Sequence, residues 1–233
     1  MIDYYFWTTP NGYKALLFLK ETALDHRIQP INISRGEQFD PEFLRVSPNN
    51  KIPAIVDHNP VDEFGPITLF ESGAILTYLA DKTRQYLPRD ARGRAKVLQW
   101  LNWQMAGIGP IFGQNLHFSA YASEQLPYAI DRFKNETSRL LMVLDKQLDT
   151  REYIAGDYSI ADMAIYPWIF KYPQLDLDLS EYLNVSRWFQ QIAERPATVA
   201  AYETGALINT QPTFSEASRD ILLGQSAETL AHT

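Results

Sequence analysis

The chain has 233 residues, 45% of them hydrophobic and 13% aromatic, and its 28 acidic and 21 basic residues give a formal net charge of −7. That is enough apolar material for one large core or two smaller ones, so disorder is confined to the ends, and the negative balance argues against nucleic acid and anionic membranes as partners. No cysteine occurs, which removes disulfides, thiolate metal sites and cysteine nucleophiles; any thiol chemistry has to use a thiol carried in by a ligand.

Residues 2–7 are rich in aromatic and β-branched side chains and run into Thr8-Thr9-Pro10-Asn11-Gly12, a cluster of turn and cap residues. That order predicts a strand, a turn and a helix start. The helix carries Ala15, Leu16, Leu19 and Ala23 at helical spacing, with Pro10 and Asn11 as its start chemistry. Further strands are predicted over 26–33, 52–57 and 67–70. Ser72 then reads as the N-cap of a helix through Ala74, Ile75, Tyr78 and Leu79 to about Thr83. Strand, helix, strand, paired strands and helix make an α/β domain over residues 1–84.

Past the polar stretch 82–94 the periodicity becomes helical. Ala95, Leu98, Leu101 and Met105 form one apolar stripe, and Phe133, Leu140, Leu144 and Leu148 form another. No Asp, Glu, Lys or Arg falls within 97–123, but Gln99, Asn102, Gln104, Gln114, Asn115 and the pair Gly109-Pro110 interrupt that stretch. It therefore predicts a buried helix followed by a loop, not a membrane span. Ser159-Ile160-Ala161-Asp162 has the form of a capping box opening a helix, and another helix is expected over 185–194, stopped by Pro196. The organisation is completed by an all-helical domain over 92–209 and a more polar tail over 210–233. Residues 1–7 include Asp3 and lack a basic segment ahead of an apolar one, so they do not read as a secretory signal, and the cytoplasm is the expected location. His26, His58, His117 and His232 share no metal-ligand spacing, and no metal is expected.

Three runs carry a family resemblance: Tyr5-Phe6 with Thr9-Pro10-Asn11-Gly12, then Ser47-Pro48-Asn49-Asn50-Lys51-Ile52-Pro53-Ala54-Ile55-Val56-Asp57, then Phe70-Glu71-Ser72-Gly73-Ala74-Ile75. Together they resemble the glutathione transferases, and more narrowly the nu-class bacterial disulfide-bond oxidoreductases and the related yeast nitrogen-regulation prion protein. Residues 107–118 and 159–168 extend the likeness to about Gly205. It implies a thioredoxin-like N-terminal domain with a buried cis proline at Pro53, an all-α C-terminal domain, glutathione as co-substrate, and a homodimer.

Glutathione is a zwitterionic tripeptide, and the resemblance distributes its recognition over named positions. Glu71 would take the α-ammonium, and Ser72 with the helix start would take the γ-glutamyl carboxylate. The backbone of Ile52, ahead of Pro53, would pair with the ligand's cysteine as a short added strand. Gln38 and Lys51 are candidates for the glycyl end, Asn50 for supporting the loop, and Arg132 for ligand bound in the site. Read from the residues alone, Pro53 is a trans turn or edge proline, Glu71-Ser72 a helix cap, Lys51 a solvated side chain, and Arg132 a partner for Glu136 at i+4.

A free thiol with a pKa of about 8.5 is only a few per cent ionised at neutral pH. A hydrogen bond from the Thr9 hydroxyl or the Asn11 amide, added to a helix N-terminus, would lower that pKa by roughly one or two units. In glutaredoxin-like relatives Cys-Pro-x-Cys fills this turn; here the proline is kept and both cysteines are gone. The rival activator is the Tyr5 hydroxyl, whose alternative is aromatic packing in the strand, since one of Tyr4 and Tyr5 has to face the core. Trp100, Trp103, Phe112, Phe118, Tyr166 and Trp168 either wall a cleft or fill the core. The resulting expectation is a glutathione-dependent disulfide-bond oxidoreductase that uses two glutathione molecules and a small disulfide. The alternatives are a glutathione S-transferase conjugating electrophiles, and a non-catalytic glutathione-binding regulator. The yeast relative's regulatory role depends on a disordered Asn-rich segment, and no such segment is expected ahead of Met1, which lowers the last alternative.

Overall fold

A computed structural model describes residues 1–231, so His232 lies outside the described residues. The chain divides into two compact units: residues 1–83 together with the chain from Val199 onward, and residues 84–198.

Strand alternation organises the first unit. β1 (Ile2–Phe6) turns Ile2, Tyr4 and Phe6 to one face, where all three are buried, and Tyr5 to the other. Its neighbours are β2 (His26–Pro30), which runs parallel to it, and β3 (Ala54–Asp57), which runs antiparallel; β4 (Ile67–Phe70) adds antiparallel to β3, for the order β2-β1-β3-β4. On the Tyr4 side, α1 (Pro10–Thr22) packs against α3 (Ser72–Thr83), with Ala15, Leu16, Leu19, Ile75, Leu76 and Leu79 buried. The Tyr4 hydroxyl donates to the Gly12 carbonyl, which ties the strand to the first turn of α1. On the Tyr5 side, Trp7, Phe43, Ile52 and Ala54 form a second cluster with Tyr5, Ile31, Ile33 and Val46 packed on it.

Two strands are shorter than their apolar runs suggest. β2 stops after Pro30; the Ile31 N–H still donates to Phe6, but the Asn32 side chain then caps a 3₁₀ turn (Ile33–Arg35) and ends the pairing. β3 begins at Ala54, after the Ile52–Pro53 peptide bond, which is cis as the resemblance implied. A short helix, α2 (Pro41–Val46), supplies Phe43 to the second cluster and was not anticipated. Its start signal was nonetheless present: the Asp40 carboxylate accepts from the Glu42 N–H, and Pro41 occupies the first turn.

The second unit holds α4 (Ala91–Trp103), α5 (Gly109–Leu116), α6 (Pro127–Leu148), α7 (Ile160–Ile169) and α8 (Leu183–Ala193). The helical stretch expected within 97–123 continues through Gly109-Pro110 to Tyr121, and the loop follows it over 122–126. Two π-helical turns, Gln104–Ile108 and His117–Tyr121, carry the chain through the proline without leaving helical backbone angles. The stripe read from α4 onward is displaced in part: Leu101 is buried as read, but Val97, Gln104 and Ile108 complete the buried face, while Ala95 is exposed and Leu98 and Met105 are half-buried. On α6 the prediction holds, since Leu140, Leu144 and Leu148 are buried and the half-buried Phe133 stacks on Phe118 at 5.4 Å. The box at Ser159 closes as read, with Asp162 accepting from the Ser159 N–H at 3.0 Å. Pro196 does end α8, and it also opens α9 (Pro196–Ile208), which enters the first unit at Val199.

The tail is ordered on the first unit. The Ser34 hydroxyl donates to the Thr213 carbonyl at 2.6 Å, and α10 (Arg219–Leu223) lies against the 3₁₀ turn Ile33–Arg35. Among the described residues no helix is long and apolar enough to cross a membrane, and no His, Asp and Glu group is placed to hold a metal ion.

Candidate functional site

Sheet register brings the sequence candidates of the first unit to one end of the sheet. Tyr5 pairs with Ala54, and Ala54 with Phe70. The last residues of β1, the entry to β3 and the exit of β4 therefore lie side by side, and what is attached to them follows: the Thr9 turn, Ile52-Pro53, and Glu71-Ser72.

Thr9 is the N-cap of α1, extended in backbone, and its Oγ1 accepts from the Gly12 N–H at 3.2 Å. The turn is tight: a Cβ on Gly12 would collide with the Trp7 carbonyl oxygen, so only glycine lets α1 fold back over the end of β1. Pro10 and Asn11 occupy the first two helical positions, and Asn11 is half-buried at the positive end of a 13-residue helix.

At the exit of β4, Glu71 sits in the left-handed region with φ 69° and is exposed, while Ser72 is buried. Ser72 is the first residue of α3 and not its N-cap, because the first helical bond runs from the Ile75 N–H to the Glu71 carbonyl. Behind it the Lys14 ammonium, 1% exposed, donates to Ser72 Oγ at 3.2 Å. Burial lowers the Lys14 pKa to about 7, with the Glu71 charge acting in the opposite direction. Sequence reading passed over Lys14; its only signal was a cation bordering the apolar run Ala15-Leu16-Leu17-Phe18-Leu19.

The loop before β3 is built around Ser47, whose hydroxyl donates to the Lys51 carbonyl at 2.7 Å, and Asn50, which adopts φ 48°. Asparagine tolerates that conformation well. Asn50 Nδ2 and Lys51 Nζ both donate to Gln225 Oε1, at 3.2 and 2.8 Å, so the tail contributes a carboxamide oxygen to this corner. Burial lowers the Lys51 pKa. Gln38 is 2% exposed, and among the described residues neither its Nε2 nor its Oε1 has a hydrogen-bond partner. A buried amide with both ends unmatched is uncommon and calls for a polar group that the chain itself does not provide.

Tyr5 belongs to the packing. Its ring lies on Phe43 at 5.7 Å within the second cluster, and desolvation followed by the Asp3 charge raises the phenol pKa. Tyr4 is the one that faces the α1 side of the core. Arg132 lies in the second unit on α6, with its Nη1 3.8 Å from Glu136 Oε2; Arg139 holds that carboxylate through two shorter bonds of 2.8 and 2.7 Å. Among the other aromatics, Phe112 and Tyr166 are core residues of the second unit, and Trp100 and Trp103 meet edge to face at 5.0 Å.

Comparison with known proteins agrees with this architecture. A family model for the glutathione S-transferase N-terminal domain matches residues 1–81, and one for the C-terminal domain matches residues 110–196. Disulfide-bond oxidoreductase YfcG of Escherichia coli (strain K12) is 52% identical over 199 residues, covering 85% of this chain and 93% of the relative. Disulfide-bond oxidoreductase YghU of the same organism is 42% identical over 218 residues, covering 86% and 72%. A glutathione transferase from Pseudomonas putida, solved with one glutathione disulfide bound per subunit, matches with a TM-score of 0.83 at 40% identity over 86% of this chain and 90% of that one. Another, from Pseudomonas fluorescens pf-5 with two glutathione bound, matches with a TM-score of 0.82 at 40% identity over 87% and 92%. The mixed four-stranded sheet is the thioredoxin-like part of that fold and the second unit its helical part. The chain belongs to the glutathione S-transferase family.

Proposed function

We propose that the protein is a glutathione-dependent disulfide-bond oxidoreductase in which two glutathione molecules carry the redox change and the protein supplies no sulfur. The observation that carries this reading is the Thr9-Pro10-Asn11-Gly12 turn, which offers a hydroxyl, an amide and a helix N-terminus in a chain without cysteine. Those groups stabilise a thiolate and cannot replace one. The names of YfcG and YghU, and the disulfide or paired glutathiones in the Pseudomonas structures, support it.

The first glutathione is held by Glu71 at its ammonium and by Ser72 with the first turn of α3 at its γ-glutamyl carboxylate. The Ile52 backbone, ahead of Pro53, pairs with its cysteine. Lys51 and the unmatched amide of Gln38 serve the glycyl end, and Asn50 shapes the loop that carries Lys51. Thr9 and Asn11 hydrogen-bond its sulfur. That thiolate attacks the substrate disulfide, forming a glutathione mixed disulfide and expelling one substrate thiolate. A second glutathione thiolate attacks the glutathione sulfur of the mixed disulfide, which releases glutathione disulfide and the other substrate thiolate; solvent protonates both leaving groups. A role for Arg132 on bound ligand, a cytoplasmic location and a homodimer belong to the same proposal. For the last, Phe64 and Val61, 94% and 72% exposed between β3 and β4, offer apolar area to a second copy.

The deciding assay sets a model disulfide beside an aryl halide. The expected stoichiometry is two glutathiones consumed and one glutathione disulfide formed for each substrate disulfide, with little thioether. Thioether formation as the main reaction would make the protein a conjugating transferase.

One consequence concerns the tail. A glycyl carboxylate approaching Lys51 meets the Gln225 oxygen already there, and displaces a dipole with a full charge. Gln225→Ala is expected to tighten glutathione binding by about fivefold, the equivalent of one neutral hydrogen bond of about 1 kcal/mol. Calorimetric titration of parent and variant measures it, and equal dissociation constants would show that the ligand does not use Lys51.

A further inference from the structure

The geometry points to Lys14 as a positioning residue for the γ-glutamyl carboxylate, a buried cation that orients the Ser72 hydroxyl and places positive charge beneath the start of α3. This rests on the proposed glutathione site. Lys14 is 1% exposed and sits on the face of α1 that packs against α3, in a position a methionine would fill without the cost of burying an ammonium group. Its Nζ nonetheless reaches Ser72 Oγ at 3.2 Å, across 58 residues of sequence. A serine hydroxyl has one proton and two lone pairs. Lys14 donates to one of those lone pairs, so the Ser72 proton points away from Lys14.

The charge surroundings make this arrangement responsive to ligand. Glu71, from the turn before α3, is the charged group that favours the ammonium, and it does not offset burial, which leaves the pKa at about 7. The phenols of Tyr4 on β1 and Tyr13 on α1 are kept neutral by burial. On α3, Lys82 and Tyr78 are both engaged with Asp57, and Asp81 is exposed. In this setting Lys14 is close to half protonated at neutral pH. A carboxylate arriving at Ser72 stabilises the ammonium form, so binding draws a proton from solvent. Affinity is therefore highest below the pKa of the free protein, and falls as pH rises from that value to the higher pKa of the complex.

The test uses S-methylglutathione, whose sulfur does not titrate, bound to the full chain between pH 6 and 8.5. Calorimetry in two buffers of different ionisation enthalpy counts the protons exchanged. The unmodified protein is expected to take up roughly half a proton near pH 7 and to bind up to about tenfold more weakly for each pH unit above it. Lys14→Met is expected to bind about tenfold more weakly at pH 6.5, with a flat profile and no uptake. Lys14→Arg, which stays charged, is expected to keep most of the affinity with no uptake. Absence of proton uptake by the unmodified protein overturns the inference even if neither variant folds. So does equal uptake in the parent and either variant. In both cases normal binding of S-methylglutathione leaves the glutathione site standing, whereas no binding to the unmodified protein at any pH removes that site and this inference with it.

Discussion

Asn11→Ala and Thr9→Ala are each expected to lower kcat/KM for disulfide reduction by roughly ten- to several-hundred-fold, corresponding to about 1.4 to 3.5 kcal/mol of transition-state stabilisation. Tyr5→Phe changes it little. The Thr9 hydroxyl accepts from the Gly12 N–H, so its own proton is directed elsewhere and is available to a sulfur beyond the helix end. Because the same bond caps α1, Thr9→Ala also costs about 1 kcal/mol of stability. Thermal denaturation thus separates the two contributions. Two donors and one helix terminus act on one atom, and the double variant accordingly loses less than the sum of the singles. The ultraviolet absorbance of the bound thiolate, followed against pH, has its midpoint raised in the turn variants. A midpoint that moves in Tyr5→Phe alone would return the assignment to the tyrosine, against its packing on Phe43, and make conjugation the leading reaction.

Asp162→Ala is expected to cost about 3 to 5 kcal/mol of folding stability, among the largest single effects the chain allows. The carboxylate is fully buried and accepts from the Ile154 N–H, the Ser159 N–H and hydroxyl, and the Trp188 Nε1–H, all at 2.9 to 3.0 Å. Burial pushes its pKa up to about 6 while those donors pull it down, so it is ionised at neutral pH. Alanine leaves the donors in a dry interior. Asparagine keeps one acceptor but turns an NH₂ toward the rest, and recovers only part of the loss. Urea denaturation followed by tryptophan fluorescence reads the change as a lower midpoint at constant slope. A shift worth less than about 1 kcal/mol would show that the donors find other acceptors.

What the sequence made legible was local. The cap residues at Thr9 and Ser159, the period-two strand over Tyr4 and Tyr5, and the Leu140-Leu144-Leu148 spacing each follow from a few neighbouring side chains, and each was found in place. Proline was a poor guide to helix ends. Gly109-Pro110 interrupts the apolar run without ending the helix, because a π turn that absorbs a missing N–H has no sequence mark of its own. Pro196 was read as a stop when it is also a start. The displaced stripe on α4 arose because Gln104 is buried where an apolar residue is the usual occupant. Within the candidate site, Ile52, Pro53, Glu71 and Ser72 came from the family resemblance carried by their motifs, and Thr9 from that resemblance together with its place at a helix start. The contacts of Lys14 with Ser72 and of Gln225 with Lys51 did not, since they span 58 and 174 residues and depend on tertiary folding.

The head of α1 carries a hydroxyl where a redox enzyme of this fold would carry a thiol, and that sets the kinetic order of the proposed reaction. A protein with no sulfur to oxidise cannot store an electron pair on its own chain between half-reactions, so the intermediate that links them is the bound glutathione mixed disulfide. The glutathione mixed disulfide has to stay in the site until the second glutathione thiolate attacks it, so the retention of that species, and not of an oxidised protein, decides the form of the double-reciprocal plots. The thermodynamic drive is likewise external. It is fixed by the glutathione couple, with an equilibrium product ratio that varies with the square of the reduced glutathione concentration, and is untouched by any potential of the polypeptide. The same substitution removes the route to sulfinic and sulfonic acids by which thiol enzymes are lost to peroxide.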